Sequence, residues 1–582
     1  LRFDPSYRDL CSLETLRSGK KGFFRDFSEK VTRVAGERWI GEIFGRLTSD
    51  EQRIRAIFVD AKVKDTVLET LNRTEILYRG KDANVSRERR LEGFEAATAG
   101  ERRKALLLFG QAVLRAPLPG LFLSLRVNSP RSITFLACNE HELALRDLSF
   151  VEEMAVSLWF ALAAAVRSVS DENPRLPGAS TLLDIEETEN AGKRAIAAKP
   201  IEPGDRLVVE APFAATLLPE FYGTHCQHCF SRFVAPIGCP DCSSVAFCGR
   251  ECRDAAMASY HKYECKVIAL LIGSGMSVLS MLALRMVTQS GLADDAVDLR
   301  VYDLVTHEKH RTAKDFFERS LMAAFLLKCL QRVGFFETVT RDGEIAVAGL
   351  LLKHLQLLQF NAHEVFETRL AKEHRFRGSR PLYIGVAIYP TVARFNHDCY
   401  PAVTRYFVGR SIVIRAIRSL RPGDVVAENY GPIFTKRSLD DRRRTLAARY
   451  WFRCECTACR EDWPQLVFDR RCPTEGCSKL HPRGRDPGRS IECSSCRRKI
   501  NLRESLDRLL ECEHLYAQGF AAMEEEEPER ALRAFFEAAS KFHRVAVAPH
   551  KDTHLAEIAA SACMADEGNV YRLDSFPIAF RE

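Results

Sequence analysis

Apolar positions at three- and four-residue spacing dominate the first 180 residues, and few stretches there alternate as strands do, so a helical region is expected. The longest apolar run, Met154–Val166, is too short to span a bilayer and reads as a buried helix. Part of the pattern occurs twice. Gly93, Ala105, Phe109, Ala112 and Pro117 fall at offsets that Gly519, Ala531, Phe535 and Ala538 repeat near the other end. Segments 91–117 and 517–543 are therefore expected to be antiparallel helix pairs, with Gly93 and Gly519 at close crossings facing Ala105 and Ala531. Residues 266–375, with the apolar runs Val278–Val287 and Leu350–Phe360, predict a second helical region. Strand-like stretches are confined to the rest. They comprise Glu189–Ile196 around a glycine turn, the alternating Leu207–Glu210 after Glu202-Pro-Gly-Asp205, and Arg405–Ile417 before a Pro-Gly-Asp turn at 422–424.

A chain of 582 residues with 46% hydrophobic content is too long for one core and predicts several domains. Its 85 Lys and Arg against 78 Asp and Glu leave +7, which reads mainly as solvated surface and only faintly as a sign of acidic or nucleic-acid partners. No secretory pattern opens the chain. It starts at Leu1 and stops within what looks like a helical array, as a fragment or incomplete gene model would. Twenty cysteines, most in Cys-x-x-Cys-like clusters, then point to zinc in a reducing compartment, cytosol or nucleus, rather than to disulfides.

Cys226, Cys229, Cys239, Cys242, Cys248, Cys252, His261 and Cys265 supply eight soft ligands within forty residues, the number that two tetrahedral zinc ions need. Cys472-x4-Cys477 and Cys493-x2-Cys496 form a four-thiolate set at ribbon-like spacing across a Gly/Pro/Arg-rich loop. Cys454, Cys456 and Cys459 are three ligands lacking a fourth.

Arg394-Phe-Asn-His-Asp-Cys399, the strand-rich run after it and Ala427-Glu-Asn-Tyr-Gly-Pro432 together resemble the catalytic half of a SET domain. Cys454-x-Cys456-x2-Cys459 follows as a post-SET zinc site does. With the cluster at 226–265, the chain is similar to the SET and MYND domain family of protein-lysine methyltransferases. The resemblance covers about 189–460, and the repeated helix pairs resemble tetratricopeptide segments.

The resemblance implies an α+β multi-domain protein: a β-rich SET fold with an inserted MYND finger and a helical insert, flanked by tetratricopeptide-like helices. The implied divisions are 1–180 (helical, tetratricopeptide-like), 181–225 (SET, first part), 226–265 (MYND finger) and 266–375 (helical insert). They continue with 376–452 (SET, catalytic part), 453–500 (post-SET zinc site and four-cysteine ribbon) and 501–582 (tetratricopeptide-like). It assigns Cys226, Cys229, Cys248 and Cys252 to one zinc, and Cys239, Cys242, His261 and Cys265 to another. Cys399 becomes the fourth ligand beside Cys454, Cys456 and Cys459, so that four ions are expected in all.

S-adenosylmethionine is the implied cofactor, with Gly192, Lys193, Asn396, His397, Tyr430 and Phe452 as its contacts. Asn361 resembles a further contact, or is a helix-end Asn. Tyr430 is the candidate catalytic residue, orienting a lysine amine in an aromatic channel. The glycine corner at 192 read alone is an ordinary hairpin, and Tyr430 read alone is a core tyrosine. Departures from the family pattern fall at Ala191, Asp398 and Ala402, and Met257 and Ala258 replace a Trp frequent in such fingers. The implied partners are a protein substrate with an accessible lysine and proteins docking on the finger and the helical segments. The alternative is an adaptor in transcriptional regulation whose SET fold binds partners without useful catalysis.

Overall fold

The strand-like stretches fall in a hairpin and a three-stranded sheet, and a four-stranded sheet takes in Ala362–Leu370, where the sequence predicted helix but alternate residues are buried against the core, as a computed structural model shows. It describes residues 22–73, 80–117 and 168–572, apart from 190, 234–235, 291–298, 337–339, 372, 464–468, 473, 475–476, 478 and 483–489. The helix expected at 154–166 lies outside these residues.

β1 (Leu183–Thr188) and β2 (Gly192–Ala197) form a hairpin, followed by β3 (Arg206–Glu210) and β4 (Ala214–Leu217). β5 (Ile237–Gly238) and β6 (Ala246–Phe247) pair within the Cys/His-rich segment. β7 (Ala362–Leu370), β8 (Arg380–Ile388), β9 (Val403–Val408) and β10 (Ser411–Ala416) belong to the two sheets. Two short hairpins, β11 (Asp469–Arg471) with β12 (Leu480–Pro482) and β13 (Ile491–Glu492) with β14 (Lys499–Ile500), precede the last helices. The terminal β15 (Val570–Arg572) runs parallel to β7, and the sheets are ordered β3-β10-β9 and β15-β7-β8-β4.

β3 departs from its apparent alternation, since Leu207, Val208, Val209 and Glu210 are all buried. Glu210 points inward because its carboxylate accepts the N–H groups of Thr391 (2.8 Å) and Val392 (2.9 Å), which open the turn Val392–Arg394. Buried backbone donors need such partners, and a charged strand residue supplies them here.

Helices Ala313–Arg332 and Arg341–Asn361 start at Thr312 and Thr340, whose side chains cap Asp315 N and Gly343 N. Helices Asp50–Val59 and Ala61–Arg73, grouped by sequence with the N-terminal repeat, belong to this bundle instead. Their Ile54, Ile57 and Val67 share one core with Phe317, Leu321 and Leu351, and Arg55 pairs with Asp342 at 2.9 Å.

Helices Ala83–Thr98 and Arg102–Arg115 form one hairpin, and Arg503–Glu524 with Pro528–Val545 forms another. The glycines do sit at close crossings, but a phenyl ring rather than an alanine faces each. A Cβ on Gly93 would lie 2.6 Å from Phe109 Cε1, and one on Gly519 2.4 Å from Phe535 Cε1. Ala105 and Ala531 are fully buried beside these rings. Among the described residues no helix is long and apolar enough to cross a membrane.

Candidate active site and metal centres

The turn after β8 and the segment after β10 cross. His397 bridges Glu428 in parallel, Glu428 N–H donates to Asn396 O (3.0 Å) and Asp398 N–H to Glu428 O (2.8 Å). Asn429 Nδ2 clamps the crossing through Asp398 O (3.0 Å) and Pro432 O (2.9 Å). Residues about thirty apart in sequence are thus brought side by side.

Tyr430 emerges from this crossing half-buried, and its hydroxyl donates to the buried Phe395 carbonyl at 2.7 Å. Its ring centre lies 4.9 Å from Tyr450, 5.4 Å from His397 and 6.4 Å from Phe452. Burial first, then Glu428, pushes the Tyr430 phenol far above its ordinary value, so it is neutral at any physiological pH. His397 Nδ1 accepts Tyr430 N–H (3.0 Å), which places the ring proton on Nε2, 3.3 Å from Cys399 Sγ. Burial pushes His397 down to about 4, in keeping with a neutral ring.

The other sequence-derived contacts are engaged by the protein itself. Asn396 Nδ2 donates to Ala191 O (3.2 Å), tying the turn to the β1–β2 corner, where Gly192 has φ +61° and open space on its Cβ side. Lys193 makes an ion pair with Asp303, which Arg394 also reaches at 3.4 Å. Asn361 ends its helix, donating to Leu357 O (2.7 Å) and Val305 O (2.8 Å), so its helix-end role is realised. The departing positions are structural: Asp398 caps Tyr400 N–H (2.7 Å), Ala402 is core, and Ala191 contributes its carbonyl.

All sixteen metal candidates gather into the four expected sets, with the ligand atoms of each within 4.8 Å of one another. Four thiolates about 2.3 Å from a tetrahedral ion lie about 3.8 Å apart. The observed separations are 3.5 Å for Cys229–Cys248, 3.6 Å for Cys248–Cys252, 3.8 Å for Cys239–Cys265 and 3.5 Å for Cys399–Cys459. These are far beyond an S–S bond of about 2.05 Å, and the donor sets are those of structural zinc. Cys399 joins the metal set two residues after His397. The buried Arg442 guanidinium lies 3.6 Å from Cys459 Sγ, offsetting the thiolate charge.

A family model of the MYND finger matches residues 226–265. The protein-lysine N-methyltransferase SMYD4 of Danio rerio is 22% identical over 418 residues, covering 57% of this chain and 55% of that protein. The N-lysine methyltransferase SMYD2 of Mus musculus is 24% identical over 277 residues, covering 46% and 58%. A SET and MYND domain-containing protein of Dictyostelium discoideum is 20% identical over 323 residues, covering 48% and 82%. The chain is similar to SET and MYND domain-containing proteins and carries their MYND finger. It spans just over half the length of the SMYD4 proteins it matches.

The MYND finger is tied to the sheet by Phe230, which packs on Gly385, where a Cβ would lie 2.7 Å from the ring. Several residues beside Tyr430 escaped the sequence reading. The Tyr450 ring lies tilted against Tyr430, and the buried Glu428 bridges Arg405 (2.6 Å) and His363 (3.0 Å). Burial alone would raise the Glu428 carboxyl, but Arg405 and His363 outweigh it and hold it at about 2. A cleft of about 250 Å³ opens here between Phe366, Thr404, Arg405, Glu428 and the helix Lys551–Ala565, which contributes His554 and Glu557. The one sequence signal for Tyr450 was its closeness to Phe452; it ends the helix Leu439–Tyr450, and Trp451 at φ +61° turns the chain between the two rings.

Proposed function

We propose that this protein is an S-adenosylmethionine-dependent protein-lysine N-methyltransferase. The observation that carries the reading is the Tyr430 hydroxyl, fixed on the Phe395 carbonyl within the ring cluster of Tyr450, His397 and Phe452.

Gly192, Asn396 and Phe452 fit a cofactor: a backbone corner with open space where a Cβ would stand, a polar amide on the adjoining turn, and a flat apolar ring. When bound, S-adenosylmethionine supplies an electrophilic methyl group on its sulfonium. The chain's own part is to present a neutral amine. Free lysine has a pKa near 10.4, and walls formed by Tyr430, Tyr450 and Phe452 disfavour the ammonium by desolvation. Because Tyr430 spends its proton on Phe395 O, its oxygen is left with lone pairs that accept an amine N–H and turn the nitrogen lone pair outward. A phenol held this far above its ordinary pKa positions the amine and does not deprotonate it. The proton leaves to water before the amine enters.

The adaptor alternative draws on one observation, that Lys193, Asn396 and His397 already have protein partners. Calorimetry separates the two, since an adaptor gives no heat with S-adenosylmethionine or its demethylated product. Methyl transfer from labelled cofactor into a whole lysate, followed by site mapping, tests the activity directly and identifies the substrate. Protein partners on the finger and on the tetratricopeptide-like hairpins, and a place in cytosol and nucleus, complete the reading.

A further inference from the structure

The four-cysteine segment is rich in positive charge. Between Asp469 and Arg503 ten Lys and Arg stand against four Asp and Glu, a net of +6 where the whole chain carries +7. This segment contains the Cys472, Cys477, Cys493 and Cys496 set, which neither the finger nor the cofactor crossing uses. We propose that it is a zinc ribbon whose basic face binds duplex nucleic acid through backbone phosphates.

The metal half of the proposal rests on an internal comparison. In the finger, Cys226-x2-Cys229 is followed by Phe230 at φ +67°; Phe230 N–H donates to Cys226 O (3.0 Å), and Cys226 N–H to Ser231 O (2.9 Å). In the ribbon, Cys493-x2-Cys496 is followed by Arg497 at φ +59°; Arg497 N–H donates to Cys493 O (2.9 Å), and Cys493 N–H to Arg498 O (2.9 Å). The two turns agree bond for bond. A left-handed backbone costs a bulky residue about 1–2 kcal/mol and persists where something fixes it. The same turn aims thiolates at a metal in the finger. Sulfur separations of 3.9 Å for Cys472–Cys496 and 3.8 Å for Cys477–Cys493 match a tetrahedral ion and exclude disulfides. Among the described residues Ile491, Ile500 and Leu502 alone lie beneath the cluster, too small a core to hold two hairpins unaided.

The binding half rests on what the metal displays. Lys479, Arg497, Arg498, Lys499 and Arg503 are exposed, three of them consecutive on the knuckle and β14. Among the described residues Arg497 meets an acid at 3.9 Å, from Glu492. Four thiolates on a divalent ion contribute −2, so the ribbon keeps about +4 when loaded. The sequence 469–503 contains no Phe, Tyr or Trp on which unpaired bases could stack, and none of its described residues is a large exposed apolar side chain. A protein partner needs apolar anchors and a single strand needs stacking platforms, whereas a duplex backbone needs only cations.

Fluorescence anisotropy of the full chain with a short labelled DNA duplex over a salt series tests this. If the five exposed cations each meet a phosphate, log K should fall against log salt with a slope of about −4 to −5. Arg497→Ala/Arg498→Ala/Lys499→Ala should weaken binding and cut that slope by about 3, with zinc content unchanged. Cys496→Ser should lose one zinc per chain and most of the duplex binding, while the finger's zinc stays. Unchanged affinity in the triple variant, or binding of a polyglutamate peptide in place of the duplex, would overturn the nucleic-acid reading. Ribbon cysteines that alkylate freely in the purified wild type, with no zinc lost on Cys496→Ser, would overturn the metal site.

Discussion

Tyr430→Phe removes one oxygen from the site and leaves the ring contacts with Tyr450, His397 and Phe452 in place. Two separate losses follow from the geometry. The Phe395 carbonyl, in a residue only 1% exposed, loses its donor at 2.7 Å, which should cost about 1–2 kcal/mol of stability. The amine loses the acceptor that fixes its orientation, which in a site shielded from water is worth about 2–3 kcal/mol of barrier, or tens- to hundreds-fold in kcat. Cofactor affinity should hardly move, because the hydroxyl acts on the amine in the transition state. Asn396→Ala and Phe452→Ala should show the reverse, a raised KM for cofactor with a smaller loss of kcat. Single-turnover transfer from labelled cofactor, on samples whose folded fraction has been matched, separates rate from stability. A folded Tyr430→Phe protein that transfers methyl groups at the wild-type rate would make Tyr430 a packing residue and this assignment of the site wrong.

Three further outcomes are expected. Gly519→Ala places a Cβ 2.4 Å from Phe535, so overpacking of about 1–3 kcal/mol should outweigh a helix-propensity gain of about 1 kcal/mol; the Tm should fall, and Phe535→Leu in that background should restore part of it, whereas a raised Tm would contradict the close crossing. Burial raises the Glu210 carboxyl from 4.5 to about 7 against the pull of Thr391 and Val392 N–H. A group raised in the folded state contributes most while protonated, below 4.5, and loses that contribution as pH climbs through about 7; denaturation across pH should show wild type losing up to about 3 kcal/mol relative to Glu210→Gln, and a pH-independent difference would refute the linkage. Cys399→Ser should lose one zinc and raise the cofactor KM, since His397 Nε2 rests on that sulfur, while elemental analysis still finds the finger's two ions.

The metal ligands were legible in sequence because thiols declare themselves by number and spacing, although Cys399 and the division of the finger's ligands into two sets came only from the resemblance. The two helix hairpins were legible for a related reason, since a glycine at a crossing leaves a periodic gap, although the partner ring had to be seen. The sheet strands at 403–416 were legible from their alternation and the turn at 422–424, whereas the crossing of 396–398 with 428–430 had to be seen. Glu210, Glu428, Arg405 and His363 were not legible. Each is a polar side chain within strand or core sequence, satisfied by a partner 20 or more residues away, and nothing local separates it from a solvated one. Net charge misled for a different reason: a value of +7 for the chain averages over local excesses such as the +6 of 469–503.

The two hairpins show how far one sequence pattern fixes structure. Every defining contact recurs at a constant offset of 426 residues, from Gly93 to Gly519. Phe94 meets Phe109 edge-on at 5.5 Å, and Phe520 meets Phe535 at 5.2 Å. Ser86 Oγ donates to Ala112 O at 2.8 Å, and Cys512 Sγ to Ala538 O at 3.7 Å. The turns match as well, with Glu101 N–H on Ala96 O and Glu527 N–H on Ala522 O. Their docking does not match. The first hairpin sits on the MYND finger, with Leu114 against Gly238 and Gly110 against Pro236, and Gly80 bridges the zinc ligand Cys242. The second packs Phe536 onto Gly204 in the turn before β3, and Tyr516 bonds Thr553 of the helix bordering the cleft beside Tyr430. Internal contacts repeat because the crossing dictates them, whereas the outward residues are free to differ. One unit thus braces the finger and the other the cleft, so a change at an outward residue of either should disturb its own neighbour alone, while a change at Gly93 or Gly519 disturbs the unit itself.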